Sequence, residues 1–298
     1  MSLEQKLLEI TQGASGTFGV TVKHLQTGEA ASINGNELFQ LASTFKIPIL
    51  AALFRDVEAG KLSLDDRFKV SEEDLVPGSG VLQELHLGVE VTVKDLAMLM
   101  IIVSDNLATD RLLKLVGTEQ VTAYMRELGL ENTHIHHSCW DLLSLCVGME
   151  PQAFSREALS NILAWKFDPN SLVFQADPRN NAATPEDMAK LVELIAKKQI
   201  ISEQACDGML DILFRQQFNS RLPYMLPAKT KVAHKTGTLS DVVNDVGVIY
   251  LPEDKGSFAI SVLSKNNPTM EEGERTIGRL ARAAYDHFVG AEQKSVQI

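Results

Sequence analysis

The chain reads as an α+β (α/β two-lobe) protein. An antiparallel sheet is built from both termini and flanked by helices, and an all-helical lobe is inserted between its two halves. Three observations predict this. Short alternating runs rich in β-branched residues occur at 16–24 and 30–34, then again only at 231–236, 245–251 and 258–264; period-two alternation marks strands with one face buried. The stretch between carries helical spacing and helix caps instead. Amphipathic helical segments at 3–10 and 270–289 are placed to cover such a sheet. One domain over 1–298 is expected, with an α/β lobe of about 1–40 plus 228–298 and a helical lobe of 41–227.

Each element has a local cause. Gln26-Thr27-Gly28-Glu29 is a turn between the first two strands, which makes them a hairpin. The run 43–58 is helical and Gly60 ends it. Pro48 falls near its first turn, where a missing N–H costs least. Thr92-Val93-Lys94-Asp95 has the spacing of a capping box ahead of the apolar run 96–103, and helices follow over 107–116 and 118–128. Thr184-Pro185-Glu186-Asp187 combines a cap, a first-position proline and first-turn acids, and Ser202 caps a later helix. Residues 252–256 turn between the last two strands.

Composition removes several functional classes. The 298 residues are 45% hydrophobic and 22% charged, ordinary for a globular protein, with a formal net charge of -11. Such an acidic chain repels nucleic acid and anionic membrane, so neither is an expected partner. The cysteines, Cys139, Cys146 and Cys206, are odd in number and form no C-x-x-C pair, which argues against a disulfide framework. The first residues lack a basic segment followed by an apolar one, and runs such as 96–103 are too short to span a bilayer. A cytoplasmic location is expected from the chain as written, and a secreted or periplasmic one if a signal peptide has been trimmed.

Three short motifs carry the chemistry. Ser43-Thr44-Phe45-Lys46 puts a serine and a lysine on one face of a predicted helix. A serine needs a base to become a nucleophile, and a desolvated lysine can serve. Ser104-Asp105-Asn106 follows at a helix junction that can aim a hydroxyl and a carboxamide into a cleft. Lys235-Thr236-Gly237-Thr238 lies on a predicted strand, which sends Lys235 and Gly237 to one face and Thr236 to the other. Taken singly, each has an ordinary structural explanation as a cap, a turn or an exposed strand pair. His134, His136, His137 and Cys139 do not match a zinc-ligand spacing, and no metal site is expected.

The three motifs in this order resemble the class A β-lactamases and penicillin-binding proteins. The likeness extends to the flanks at 39–48, 60–65, 104–108, 230–237 and 244–245. It implies a β-lactamase/transpeptidase-like fold and a serine hydrolase that forms an acyl-enzyme on Ser43, with hydrolysis of the β-lactam amide bond the leading activity. A D-alanyl peptidase or esterase of the penicillin-binding class is the alternative, and a non-catalytic sensor of β-lactams or cell-wall fragments is the alternative from another class. By the same resemblance Lys46 shuttles the Ser43 proton and Ser104 relays one to the leaving nitrogen. The N–H groups of Ser43 and Thr238 form the oxyanion hole. Asn106 holds a substrate amide, while Lys235 with Thr236 or Thr238, beside Gly237, binds a substrate carboxylate. No cofactor or metal is implied.

One departure stands out. The family's deacylating glutamate sits in an E-x-x-L-N segment upstream of a T-P helix start. Counting back from Thr184-Pro185, the best match is Phe167-Asp168-Pro169-Asn170-Ser171-Leu172, with Asp168 in place of the glutamate. Glu150 is the second candidate. The chain between Ser104 and Asp168 is longer than the family's, with extra, partly helical sequence around 137–165.

Overall fold

The strand signals at the two ends of the chain pair with one another. The computed structural model describes residues 1–164 and 166–290. In chain order the strands are β1 (Thr17–His24), β2 (Ala30–Ile33), β3 (Phe39–Gln40), β4 (Arg67–Lys69), β5 (Glu90–Thr92), β6 (Ala182–Ala183), β7 (Val232–Leu239), β8 (Val242–Tyr250) and β9 (Ser257–Lys265). The main sheet has the order β2-β1-β9-β8-β7 and every neighbouring pair is antiparallel. The amino-terminal hairpin docks on the last strand, from Thr17 opposite Lys265 to His24 opposite Phe258. β3 pairs with β6, and β4 with β5, as separate two-stranded ribbons.

Alternation divides the sheet between two cores. Phe18, Val20 and Val22 of β1 and Phe258, Ile260 and Val262 of β9 join Leu3 and Leu7 of α1 (Leu3–Gln12) and Ile277, Leu280 and Ala284 of α10 (Met270–Val289). Val246, Val248, Ala259 and Leu263 face the other way, into the larger core. Each fully buried Leu, Ile, Val or Phe there contributes about 1.5–3 kcal/mol. The predicted α+β architecture holds, with a sheet drawn from both termini and a mainly helical run between.

That helical run comprises α2 (Lys46–Glu58), α3 (Val93–Ile102), α4 (Asn106–Val116), α5 (Thr118–Glu127), α6 (Cys139–Cys146), α7 (Arg156–Leu163), α8 (Pro185–Ala196) and α9 (Glu203–Phe214). The capping box at Thr92 and Asp95 and the caps at Thr184 and Ser202 form. α8 packs on β1, β8 and β9 while keeping contact with α9. Gly19 permits this approach: a Cβ there would meet Phe39 at 2.4 Å and Pro185 at 2.6 Å.

Two local expectations are revised. The helix expected over 43–58 is a 3-10 turn at Ala42–Phe45 followed by α2 from Lys46. The strands expected at 231–236 and 245–251 meet in a hairpin around Ser240-Asp241, so β7 continues through Gly237 to Leu239. The glycine weakens intrinsic strand propensity, but full pairing with β8 outweighs it. The extra segment folds as α6 and α7; its last residue, Trp165, lies outside the described residues, as does the end of the α/β lobe at 291–298. Among the described residues no helix is long and apolar enough to cross a membrane.

Candidate active site

The turn that carries Ser43 is held from three sides. Asn244 on β8 donates its carboxamide hydrogens to the carbonyls of Gln40 (2.9 Å) and Leu41 (3.0 Å). Gln40 Oε1 accepts from the N–H of Ala42 at 2.6 Å. Ala42 takes a positive φ of 43°, strained for a residue with a side chain and costing on the order of 1–3 kcal/mol. Gly237 lies directly against the turn: a Cβ there would stand 2.7 Å from Leu41 O and 3.0 Å from the backbone nitrogens of Ser43 and Thr44. At Gly237, β7 and the nucleophile turn therefore meet backbone to backbone.

Lys46, on the first residue of α2, is wholly buried. Its Nζ bonds Ser104 O at 2.8 Å, Ser104 Oγ at 3.1 Å and Asn106 Oδ1 at 3.0 Å. Among the described residues its hydrogen bonds run to this second motif and not to the Ser43 hydroxyl, which the helical spacing had placed within reach. Burial pushes the Lys46 ammonium below the usual lysine range, while Cys139, Asp110 and Asp105 pull the other way. An amine desolvated in this manner is closer to the neutral, basic form.

The second motif is built around a cap. Asp105 Oδ1 accepts from Ala108 N (2.9 Å) at the start of α4, and Oδ2 accepts from Val81 N (2.6 Å) and Leu82 N (2.8 Å). One buried carboxylate thus fixes both the helix and the loop at 77–82. That loop holds Asn106 in turn, whose Nδ2 donates to Pro77 O at 2.9 Å and whose N donates to Ser79 O at 3.0 Å. Ser104, in the bend between α3 and α4, has a φ of 57°. Strained backbone again sits where a hydroxyl has to be aimed.

On β7, Lys235 is fully buried and its ammonium lies well below the usual range, first through desolvation and then through repulsion from Lys46. Its Nζ donates to Thr236 O at 2.8 Å. Thr236 is buried and Thr238 is exposed at the end of the strand. Arg221 is a neighbour of the strand that no sequence motif signalled. It is 4% exposed and reaches from the segment before β7 to donate to Gly237 O and Asn244 O, each at 2.7 Å, and to Thr238 Oγ1. Glu274 on α10 anchors it at 3.2 Å. It sets a permanent positive charge behind the Lys-Thr-Gly strand.

Ser43, Asn106 and Thr238 line one cavity of about 540 Å³. Its remaining wall is largely apolar, with Leu142, Leu143 and Cys146 of α6, Phe167 and Phe174. Asp168 sits between two lining residues, Phe167 and Pro169, but its Oδ1 accepts from Asn170 N at 3.0 Å and its N donates to Cys146 O at 2.9 Å. Glu150 is exposed in the turn after α6. Neither is among the residues that line the cavity. His136 and His137 bond the backbone oxygens of Pro178 and Arg179 through their ring nitrogens. The extra segment brings Cys139 to the cavity instead. Asp110, one turn beyond Asn106 on α4, holds the N–H groups of Cys139 (2.6 Å) and Trp140 (2.8 Å).

The chain is similar to known proteins over nearly its whole length. The model of the beta-lactamase enzyme family matches residues 2–288. The beta-lactamase VEB-1 of Pseudomonas aeruginosa is 24% identical over 97% of this chain and 91% of its own length. A solved beta-lactamase from Sphaerobacter thermophilus superimposes with a TM-score of 0.79 and 32% identity, covering 97% of this chain and 98% of that one. A mutant of PBP-A, solved as an acyl-enzyme complex with penicillin-G, gives a TM-score of 0.77 and 26% identity, covering 97% and 96%. The chain is a serine β-lactamase-like hydrolase and belongs to the beta-lactamase enzyme family.

Proposed function

We propose that the protein opens the β-lactam ring by acyl transfer to Ser43. The observation that carries this is the position of Ser43 at a cavity beside a buried, desolvated lysine that hydrogen-bonds both Ser104 and Asn106. Ser43 Oγ attacks the lactam carbonyl carbon and the C–O bond forms as the C–N bond breaks. The Ser43 proton passes by way of Lys46 and the Ser104 hydroxyl to the departing nitrogen. The N–H groups of Ser43 and Thr238 stabilise the oxyanion, which is worth about 2.7–4 kcal/mol for one such donor. Lys235, Thr236 and Thr238, with Arg221 behind them, hold the substrate carboxylate, and Asn106 meets its side-chain amide. Water then attacks the ester and returns the proton to Ser43.

The neighbour solved as a penicillin-G acyl-enzyme supports this choice of substrate class and of intermediate. A chromogenic cephalosporin tests it. Turnover is expected from the native protein and none from Ser43→Ala; equal rates from the two would remove the claim. A second activity, on D-alanyl peptides or esters, is favoured by one observation: neither Asp168 nor Glu150 lines the cavity beside Ser43.

A further inference from the structure

We infer that an acyl group placed on Ser43 leaves slowly, because the helical wall of the cavity presents the thiol of Cys139 where a water-activating carboxylate would have to stand. The inference rests on the acyl-transfer function of Ser43 proposed above. Ester hydrolysis forms a bond from water oxygen to the acyl carbon and breaks the bond to Ser43 Oγ. One water proton must be taken up as this happens, and Ser43 Oγ must regain one. The base has to stand within about 2.6–3.2 Å of the water or one water further off.

The acids near Ser43 are otherwise engaged. Asp241 lines the cavity, but on the β7–β8 turn, where its Oδ2 accepts from Asn266 N at 2.7 Å. Asp168 caps its own turn through Asn170. Asp110 is near enough to Lys46 to interact with it electrostatically, yet both its oxygens hold backbone N–H groups, and it lines a separate cavity with Trp140 and Phe154.

The first residue of α6, Cys139, occupies the helical wall of the cavity instead. It lines the cavity together with Ser43 and Asn106, is 4% exposed, and interacts with Lys46. Asp110 pins its backbone at the first residue of α6, so the side chain at this position is presented at a fixed point of the wall. Burial pushes the thiol up and outweighs the downward pull of Lys46, and Asp110 adds to the rise. It therefore stays protonated at neutral pH and cannot accept the water proton.

Intact-mass spectrometry during reaction with benzylpenicillin, followed by removal of free drug, tests this. The native protein is expected to accumulate one adduct per chain on Ser43. Cys139→Glu, which places a carboxylate at the pinned position, should shorten the adduct lifetime at least about 10-fold, since a positioned base contributes typically 10²–10⁴-fold. Asp168→Asn and Glu150→Gln should leave the lifetime within about 2-fold of native. Rapid turnover of the native protein without adduct, abolished in Ser43→Ala, would overturn the inference and leave the acyl-transfer function standing. So would a 10-fold longer lifetime in Asp168→Asn or Glu150→Gln, or an unchanged lifetime in Cys139→Glu that is still acylated. Neither adduct nor turnover would instead sink the acyl-transfer function. If Cys139→Glu does not fold, the native lifetime and the two acid variants decide the matter.

Discussion

Replacing Gly237 by alanine tests the contact on which the site depends. The added Cβ would stand 2.7 Å from Leu41 O and 3.0 Å from the N atoms of Ser43 and Thr44, where ordinary contact begins at 3.4 Å. The strand and the turn must therefore separate by 3.4 − 2.7 = 0.7 Å along the Leu41 contact. No side chain can rotate to absorb it, because all three atoms belong to the backbone. The turn is also tied to β8 through Asn244, so its displacement strains those bonds too. Overpacking of this kind costs about 1–3 kcal/mol of stability. The kinetic effect is larger in proportion. The two proposed oxyanion donors, the N–H groups of Ser43 and Thr238, lie on opposite sides of this contact, and a misplacement of about 1 Å costs on the order of 100-fold. We expect the acylation rate of Gly237→Ala, measured as kcat/KM with a chromogenic cephalosporin, to fall about 10- to 100-fold. Thermal unfolding would show the protein still folded. Acylation within 2-fold of native would refute the idea that sheet and turn register through this contact.

Two further outcomes follow from the buried acids. Asp105→Ala leaves the N–H groups of Val81, Leu82 and Ala108 without their acceptor. At about 1–3 kcal/mol for each of the two buried groups, those of Leu82 and Ala108, urea unfolding should show a loss of several kcal/mol, and a loss below 1 kcal/mol would mean that the loop at 77–82 is held by other contacts. Asp110 carries a carboxyl raised from 3.8 to about 6, chiefly by burial. A folded value above the unfolded one stabilises the protein while the group is protonated, and that stability is lost as pH rises through about 6. From pH 4.5 to 7.5 the loss is at most about 2 kcal/mol, and less because one edge of the carboxylate meets a solvent-open cavity. Asp110→Asn should flatten this part of the pH profile of urea unfolding; an unchanged slope would assign it to other groups.

Much of the fold was legible because its causes are local. Thr92 with Asp95, Thr184 with Pro185, and the alternation in 258–264 each act over a few residues, so the elements form where the sequence places them. The boundaries that shifted were those where a distant partner decides. The strand expected over 231–236 runs on to Leu239, because pairing with β8 carries it through Gly237, opposite Asn244. The helix expected to begin at Ser43 begins at Lys46, because Gln40 and Asn244 bend the preceding turn.

The sequence by itself determined the class of the fold, the candidate nucleophile and the order of the three motifs, since helical and strand periods and short motif spacings are properties of neighbouring residues. Tertiary structure alone decided what surrounds them. Asp105 reads as a helix cap, and only the folded chain shows its second oxygen holding a loop 23 and 24 residues away. Arg221 belongs to no sequence motif and is found buried behind β7. Asp168 reads as the acid of the site because it precedes the Thr184-Pro185 helix, whereas Cys139, in sequence that matches no motif, reaches the cavity because Asp110 draws the start of α6 there. In each case a buried charged group spends its hydrogen bonds on backbone far away in the chain, and no local pattern records which backbone it will be.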